Sequence, residues 1–252
     1  MQLGRESKTA LLQSSQEHGR RAHERADVQI MSLLNDPKLE ALLDAQYAQS
    51  NSQTDAIDVY FRRRIKEGTL SWDGFDEETH IFFRDKMVAL EKDKAEYCYA
   101  LCRALGAERV VECGTSYGVS TLYLAAAVRD NGGGTVIATE YEPGKAQFAR
   151  RNFEAAGLAS YIDLREGDLK DTLKTIDGPV DFVLLDIWTE AVVPAMTNIA
   201  PHLRQGAIVI ADNTVSARRG YEAYFAFIAD PKNHLVTMTL PFEGGLEMTL
   251  RL

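Results

Sequence analysis

Acidic and amide side chains stand one after another at the ends of short hydrophobic runs in this chain. Glu112 falls within "RVVEC" and is followed by "GTSYG"; Glu140 closes "TVIATE"; Gly167 and Asp168 follow "YIDLRE". Asp186 closes "VDFVLLD", and Asp212 with Asn213 ends "GAIVIADN". If these runs are neighbouring parallel strands, the groups gather along one sheet edge, where ligands of open α/β sheets bind near the switch in strand order. Such a row can accept hydrogen bonds from sugar hydroxyls, hold a cation or take a proton. Gly114 and Gly118 let the chain turn tightly and approach a ligand closely. Their spacing is G-x-x-x-G, not the G-x-G-x-x-G of a pyrophosphate site, and a purely structural turn explains it equally well. Glu140, 26 positions after Gly114, falls where an acid accepts hydrogen bonds from two ribose hydroxyls; a solvated strand-end glutamate is the alternative.

The elements that must position these groups alternate. Between the five runs lie the helical stretches "VSTLYLAAAVRD", "PGKAQFARRNFEAAGL", "LKDTLKTI" and "EAVVPAMTNIAPHLRQ". Alternation of this kind implies crossover connections and a mainly parallel sheet. "VDFVLLD" and "GAIVIAD" are nearly continuous hydrophobic runs, as expected of central strands covered on both faces. "HLVTMTLPFEGGLEMTLRL" instead reads as two strands joined by a Gly-Gly turn, an antiparallel hairpin. Upstream the chain is polar and helical: Pro37 marks a helix start, "NSQTD" a break, and Asp73-Gly74 a tight turn. One long helix is expected from Glu77 to Leu105, stopped by Gly106. The domain division that follows is 1–80, a helical extension serving as acceptor cap or dimer contact, and 81–252, the sheet domain.

Composition narrows the partners. With 252 residues and a formal net charge of −9, the chain lacks the concentrated basic surface that a nucleic acid requires. Its one dense basic run, "FRRRIKE", reads as a solvated helix face. Cys98, Cys102 and Cys113 fit no zinc spacing and cannot all pair; Cys98 and Cys102, one helical turn apart, are expected as buried thiols in a reducing cytoplasm. No apolar run approaches a membrane span and the N-terminus lacks a signal-peptide core, so no membrane partner is expected. The polar helices before residue 80 must pack against something, and a homodimer is expected.

"VVECGTSYGVST", "IATEYEPGKAQFARRNFEAAGL", "DFVLLDIW" and "GAIVIADN" occur in the order of the motifs of class I S-adenosylmethionine-dependent methyltransferases. More narrowly, the stretch from about Lys86 to the C-terminus resembles the catechol and caffeoyl-coenzyme A O-methyltransferase group. The resemblance implies a Rossmann-like doubly wound sheet of seven strands, mainly parallel with the C-terminal antiparallel hairpin. It also implies S-adenosylmethionine as methyl donor. The turn from Gly114 through Thr115 and Ser116 to Gly118 would wrap the methionine portion, with Glu112 near its amino group and Ser120 at the carboxylate. Glu140 would take the ribose, Asp168 and Trp188 would flank the adenine, and Asp186 would lie on the cofactor side as well. A core tryptophan is the alternative for Trp188.

In the resembling enzymes a divalent metal, held by two aspartates and an asparagine, lowers the pKa of the acceptor oxygens. Asp186, Asp212 and Asn213 match those places, an all-oxygen set suited to Mg²⁺. Helix capping and turn formation are the alternative roles for them. The chain departs from the pattern at Thr189, where the group carries a lysine base. Asp186 and the neighbouring Glu190 are left as catalytic candidates. His18, His23, His202 and His234 offer no firm base; His80 lies in the segment that would approach the acceptor. Arg218, Arg219, Tyr221 and Tyr224 either recognise an anionic or aromatic acceptor or form an ordinary surface. The expectation is methyl transfer to a hydroxyl of a small phenolic acceptor, metal-assisted. The alternatives are a metal-independent O- or N-methyltransferase and a catalytically silent S-adenosylmethionine-binding protein. A nicotinamide oxidoreductase is disfavoured by the missing pyrophosphate turn.

Overall fold

Parallel strands with hydrophobic residues at successive positions must be covered on both faces, and they are here. The structure, a computed structural model, describes residues 32–70 and 76–252. Asp36–Leu252 forms one unit. Its sheet has seven strands, β1 (Arg109–Cys113), β2 (Thr135–Glu140), β3 (Ile162–Glu166), β4 (Val180–Leu185), β5 (Leu203–Asp212), β6 (Leu235–Leu240) and β7 (Leu246–Arg251). They lie in the order β3-β2-β1-β4-β5-β7-β6. The first five are parallel, whereas β7 runs antiparallel to both β5 and β6. The expected doubly wound sheet with a terminal hairpin is therefore present.

The order reverses at β1, which pairs with β2 on one side and β4 on the other. A crevice opens at the carboxyl end of such a strand because the following connections depart toward opposite faces. One face carries α5 (Val119–Asp130), buried over nearly its whole length, with α4 (Lys92–Leu105) packed on it and α6 (Pro143–Ala156) beside β3. The other carries α7 (Leu169–Thr172), α8 (Thr189–Ile199) and α9 (Glu222–Ala229). There Val111, Val183 and Val209 of the central strands meet Val192, Met196, Tyr221 and Ile228 in one apolar cluster. β1 and β4 are buried at almost every position, whereas the outer strands β3 and β6 are mostly exposed or half-buried.

Before the sheet come α1 (Pro37–Asn51), α2 (Thr54–Glu67) and α3 (Glu77–Phe83). Asp36 caps α1 by accepting from Leu39 N at 3.1 Å, and Pro37 occupies its first turn. The break at "NSQTD" falls between α1 and α2. Asp73-Gly74 lies outside the described residues. The single helix expected over Glu77–Leu105 is instead two, α3 and α4, separated by an irregular segment at 84–91. The segment's backbone is claimed by distant side chains. Ser50 Oγ donates to Met87 O at 2.9 Å, Gln53 Oε1 accepts from Met87 N at 3.0 Å, and Tyr117 OH donates to Asp85 O at 3.0 Å. These bonds replace the helical ones, and helix propensity has no access to them. Gly106 ends α4 in the left-handed conformation as expected.

"FRRRIKE" is only partly a solvated face. Arg62 is exposed, but Arg64 is 2% exposed, donates to Thr69 O at 2.7 Å and pairs with Asp76 and Glu78. The three cysteines are buried and unpaired, and burial pushes their thiols up. No helix among the described residues is long and apolar enough to cross a membrane.

Candidate active site

The site is built around the turn between β1 and α5. Gly114 holds φ at +95°, and a Cβ there would lie 2.0 Å from the Asp186 carbonyl oxygen, so the turn lies directly against the end of β4. Gly118 holds φ at +89°, where a Cβ would meet the Phe153 ring at 2.5 Å. Both glycines thus have a packing cause, and their lack of side chains also keeps the crevice open. Ser116 between them adopts φ +49°, rare for a residue with a side chain. Its Oγ is buried with no hydrogen-bond partner among the described residues. A buried orphan hydroxyl is costly, and in a crevice it invites a ligand.

Two glutamates flank the turn. Glu112 is 0% exposed, and its carboxylate accepts from Ser120 Oγ at 2.7 Å, from Thr115 Oγ1 at 2.9 Å and from Thr121 Oγ1. Burial pushes its pKa up to about 7, against the pull of the three hydroxyls. Glu140 is also buried; Ser116 N donates to one oxygen at 2.6 Å and Glu142 N to the other at 2.8 Å. Burial again raises its pKa, with those amides working the other way. Each Glu140 oxygen keeps lone pairs for a further donor, as a vicinal diol requires. Met87 to Leu90, the turn from Gly114 to Tyr117, Val119, Ser120 and Asp186 line a common cleft. The segment 87–90 therefore belongs to the site, although nothing in its residue types announced it.

The remaining residues divide. Asp186 lies at the end of β4 beside the turn, and burial together with Asp212 holds its carboxyl well above the usual range. Asp212, 4% exposed, receives Lys94 Nζ at 2.6 Å on one oxygen and Asn213 Nδ2 at 2.9 Å on the other. Lys94 also pairs with Glu91 at 2.8 Å. Asp168 is exposed and caps α7, accepting from Lys170 N at 2.9 Å. Trp188 is 39% exposed and meets Phe83 of α3 edge-on at 5.3 Å, so it is no core tryptophan. Thr189 and Glu190 begin α8, with Glu190 exposed; His80 on α3 is exposed too. Tyr221 and Tyr224 are core residues rather than acceptor contacts: Tyr221 OH donates to Asp212 O at 2.7 Å, and Tyr224 OH lies 3.3 Å from Thr249 Oγ1. Arg218 lies over the Phe225 ring at 3.8 Å. His18 and His23 lie outside the described residues.

Lys94 escaped sequence reasoning, yet it left a signal. The buried positions of α4 are Lys94, Ala95, Cys98, Tyr99 and Cys102, so a lysine stands on the apolar stripe of an amphipathic helix. A charge at such a position requires a partner.

A seven-stranded sheet in this order, with its polar groups at the carboxyl ends, is the Rossmann-like methyltransferase fold, and comparison with known proteins agrees. Residues 111–214 match the family model described as a methyltransferase domain. The chain is 33% identical to a catechol O-methyltransferase of Mycobacterium tuberculosis over 51% of its length and 58% of the relative's. It is 29% identical to one of Niastella koreensis over 51% of its length and 59% of the relative's, so it spans less than two thirds of either. An O-methyltransferase of Bacillus cereus solved with SAH superposes with a TM-score of 0.62 at 22% identity, covering 69% of this chain and 88% of that one. An O-methyltransferase of Streptomyces achromogenes solved with SAM gives 0.61 at 23% identity, covering 78% and 96%. Residues 111–214 thus match a methyltransferase domain, the chain resembles catechol O-methyltransferases in sequence, and its fold is that of O-methyltransferases solved with SAH and with SAM.

Proposed function

We propose that this chain is an S-adenosylmethionine-dependent O-methyltransferase acting on a hydroxyl of a small, phenolic acceptor. The observation that carries the reading is the pairing of Glu140 with the Ser116 amide beside an orphan Ser116 hydroxyl, which prepares a carboxylate and a close backbone turn for a nucleoside-bearing ligand. The curated relatives named as catechol O-methyltransferases point to the acceptor class.

When bound, S-adenosylmethionine supplies a methyl group on a sulfonium, and transfer exchanges a carbon–sulfur bond for a carbon–oxygen bond. This chain's residues have three tasks. Gly114, Thr115, Ser116, Gly118, Ser120 and Glu112 would hold the amino-acid end and Glu140 the ribose, with Asp168 and Trp188 left for the adenine. Residues 87–90, which line the cleft, would help to keep water from the reacting atoms. The acceptor's proton must leave as the oxygen bonds to carbon; Asp186, which lines the cleft, is the carboxylate we assign to take it, and Glu190, exposed in the first turn of α8, is the second candidate.

The metal-assisted form of the reaction would use Asp186, Asp212 and Asn213. Their arrangement does not fit a divalent ion. Both Asp212 oxygens are engaged, one by an ammonium, and Asn213 turns its amide nitrogen toward Asp212. Its amide oxygen faces Ser216 Oγ at 3.3 Å and the Gly244 turn. Mg²⁺ needs oxygen ligands converging in near-octahedral geometry.

The test is calorimetric titration of S-adenosylmethionine followed by transfer of its labelled methyl group to a panel of catechols. Glu140→Ala should weaken S-adenosylmethionine binding about 100-fold, the loss of two charge-assisted hydrogen bonds. No binding to the wild type would overturn the reading, and binding without turnover on any hydroxylated acceptor would favour a silent binding protein.

A further inference from the structure

Lys94 is a costly residue where it stands. It is 0% exposed, and it lies in the first turn of α4, where the helix dipole disfavours a cation. The fold accepts it because Asp212 and Glu91 take two of its three donors, at 2.6 Å and 2.8 Å. Asp212 ends β5 and Asp186 lies at the end of the adjacent β4, where the resemblance puts a divalent cation. The positive charge at this position therefore comes from the chain itself. A divalent ion brought to Asp212 would have to displace the ammonium or share its carboxylate against direct repulsion.

We infer that Lys94 takes the place of the divalent metal: it neutralises Asp212, fixes the end of β5, and makes the site a metal-independent one. This rests on the methyltransferase reading for its purpose, but the claim about the ion stands separately. Lys94 is a positioning residue, acting through Asp212. Its ammonium also ties the start of α4, and with it the segment 84–91, to the end of β5, 118 positions away in sequence. The lysine base missing at Thr189 is not thereby restored. An ammonium held between two carboxylates stays protonated, because each partner favours its charged form.

The experiment is Mn²⁺ binding followed by electron paramagnetic resonance on the full chain without S-adenosylmethionine, so that failure of the cofactor reading cannot be confused with failure of this one. Wild-type protein should leave Mn²⁺ free, and its S-adenosylmethionine affinity should be the same in EDTA and in excess Mg²⁺. Lys94→Met and Lys94→Gln, checked for folding by circular dichroism, should bind Mn²⁺ at least about tenfold more tightly than wild type, as Asp186 and Asp212 lose their internal counter-ion. A purely structural lysine would give no such gain. One equivalent of Mn²⁺ on the wild type, lost in Asp212→Asn, would overturn the inference. So would folded Lys94 variants that bind no more Mn²⁺ than wild type. If neither variant folds, the wild-type measurement alone still decides.

Discussion

Glu112 shows how a single buried carboxylate can set the pH behaviour of a site. Its pKa stands at about 7 in the folded chain because burial outweighs the hydroxyls of Ser120, Thr121 and Thr115. A raised carboxyl pKa means that folding favours the neutral form. The stabilisation is complete below the unfolded value of 4.5 and is lost as the pH rises through about 7. Glu112→Gln removes this dependence. Chemical denaturation should show the variant gaining on wild type by about 3 kcal/mol between low pH and pH ~8. A difference that stays flat across that range would show that folding leaves the Glu112 pKa unshifted. Glu112, Glu140 and Asp186 were all legible as candidates, because an acid closing a hydrophobic strand has few other reasons to be there. Tyr221 and Tyr224 misled, since an aromatic side chain in a loop-and-helix segment carries no mark of the face it will turn inward.

At the scale of elements, the β1–α5 turn is the most constrained. Gly114→Ala would place a methyl group 2.0 Å from the Asp186 carbonyl at a φ of +95°, so the turn or the end of β4 must shift. We expect a loss of about 2–4 kcal/mol in thermal or denaturant unfolding, together with weakened S-adenosylmethionine binding. Unchanged stability would mean that the turn is looser than its geometry indicates. The strands, their order along the chain and the helix stops at Gly106 and Gly157 follow from local residue types. The break at 84–91 does not. It exists because Ser50, Gln53 and Tyr117 satisfy its backbone, and all three lie on other elements.

For the whole molecule, the helices before the sheet and the β6 edge of the sheet leave apolar side chains uncovered. Val59, Ile65 and Ile81 are exposed on α2 and α3, as are Val236 and Met238 on β6. These surfaces support the proposal of a homodimer. Sedimentation velocity should show a dimer that Val59→Glu with Ile65→Glu converts to monomer. A wild-type chain sedimenting only as monomer removes the proposal. The net charge of −9 leaves nucleic acid out of the partners expected.

The sequence by itself determined the parallel sheet, the hairpin and the procession of acids along the strand ends, because periodicity and turn residues act over a few neighbours. Lys94, Cys98 and Cys102 stand four positions apart in the sequence, but only the structure shows them on one buried stripe of a helix. Only the tertiary structure decided what that stripe faces. Lys94 and Asp212 meet across 118 positions, and the meeting turns an expected metal ligand into half of an internal ion pair. A pattern can require that a buried charge find a partner, but which partner it finds depends on how the elements pack.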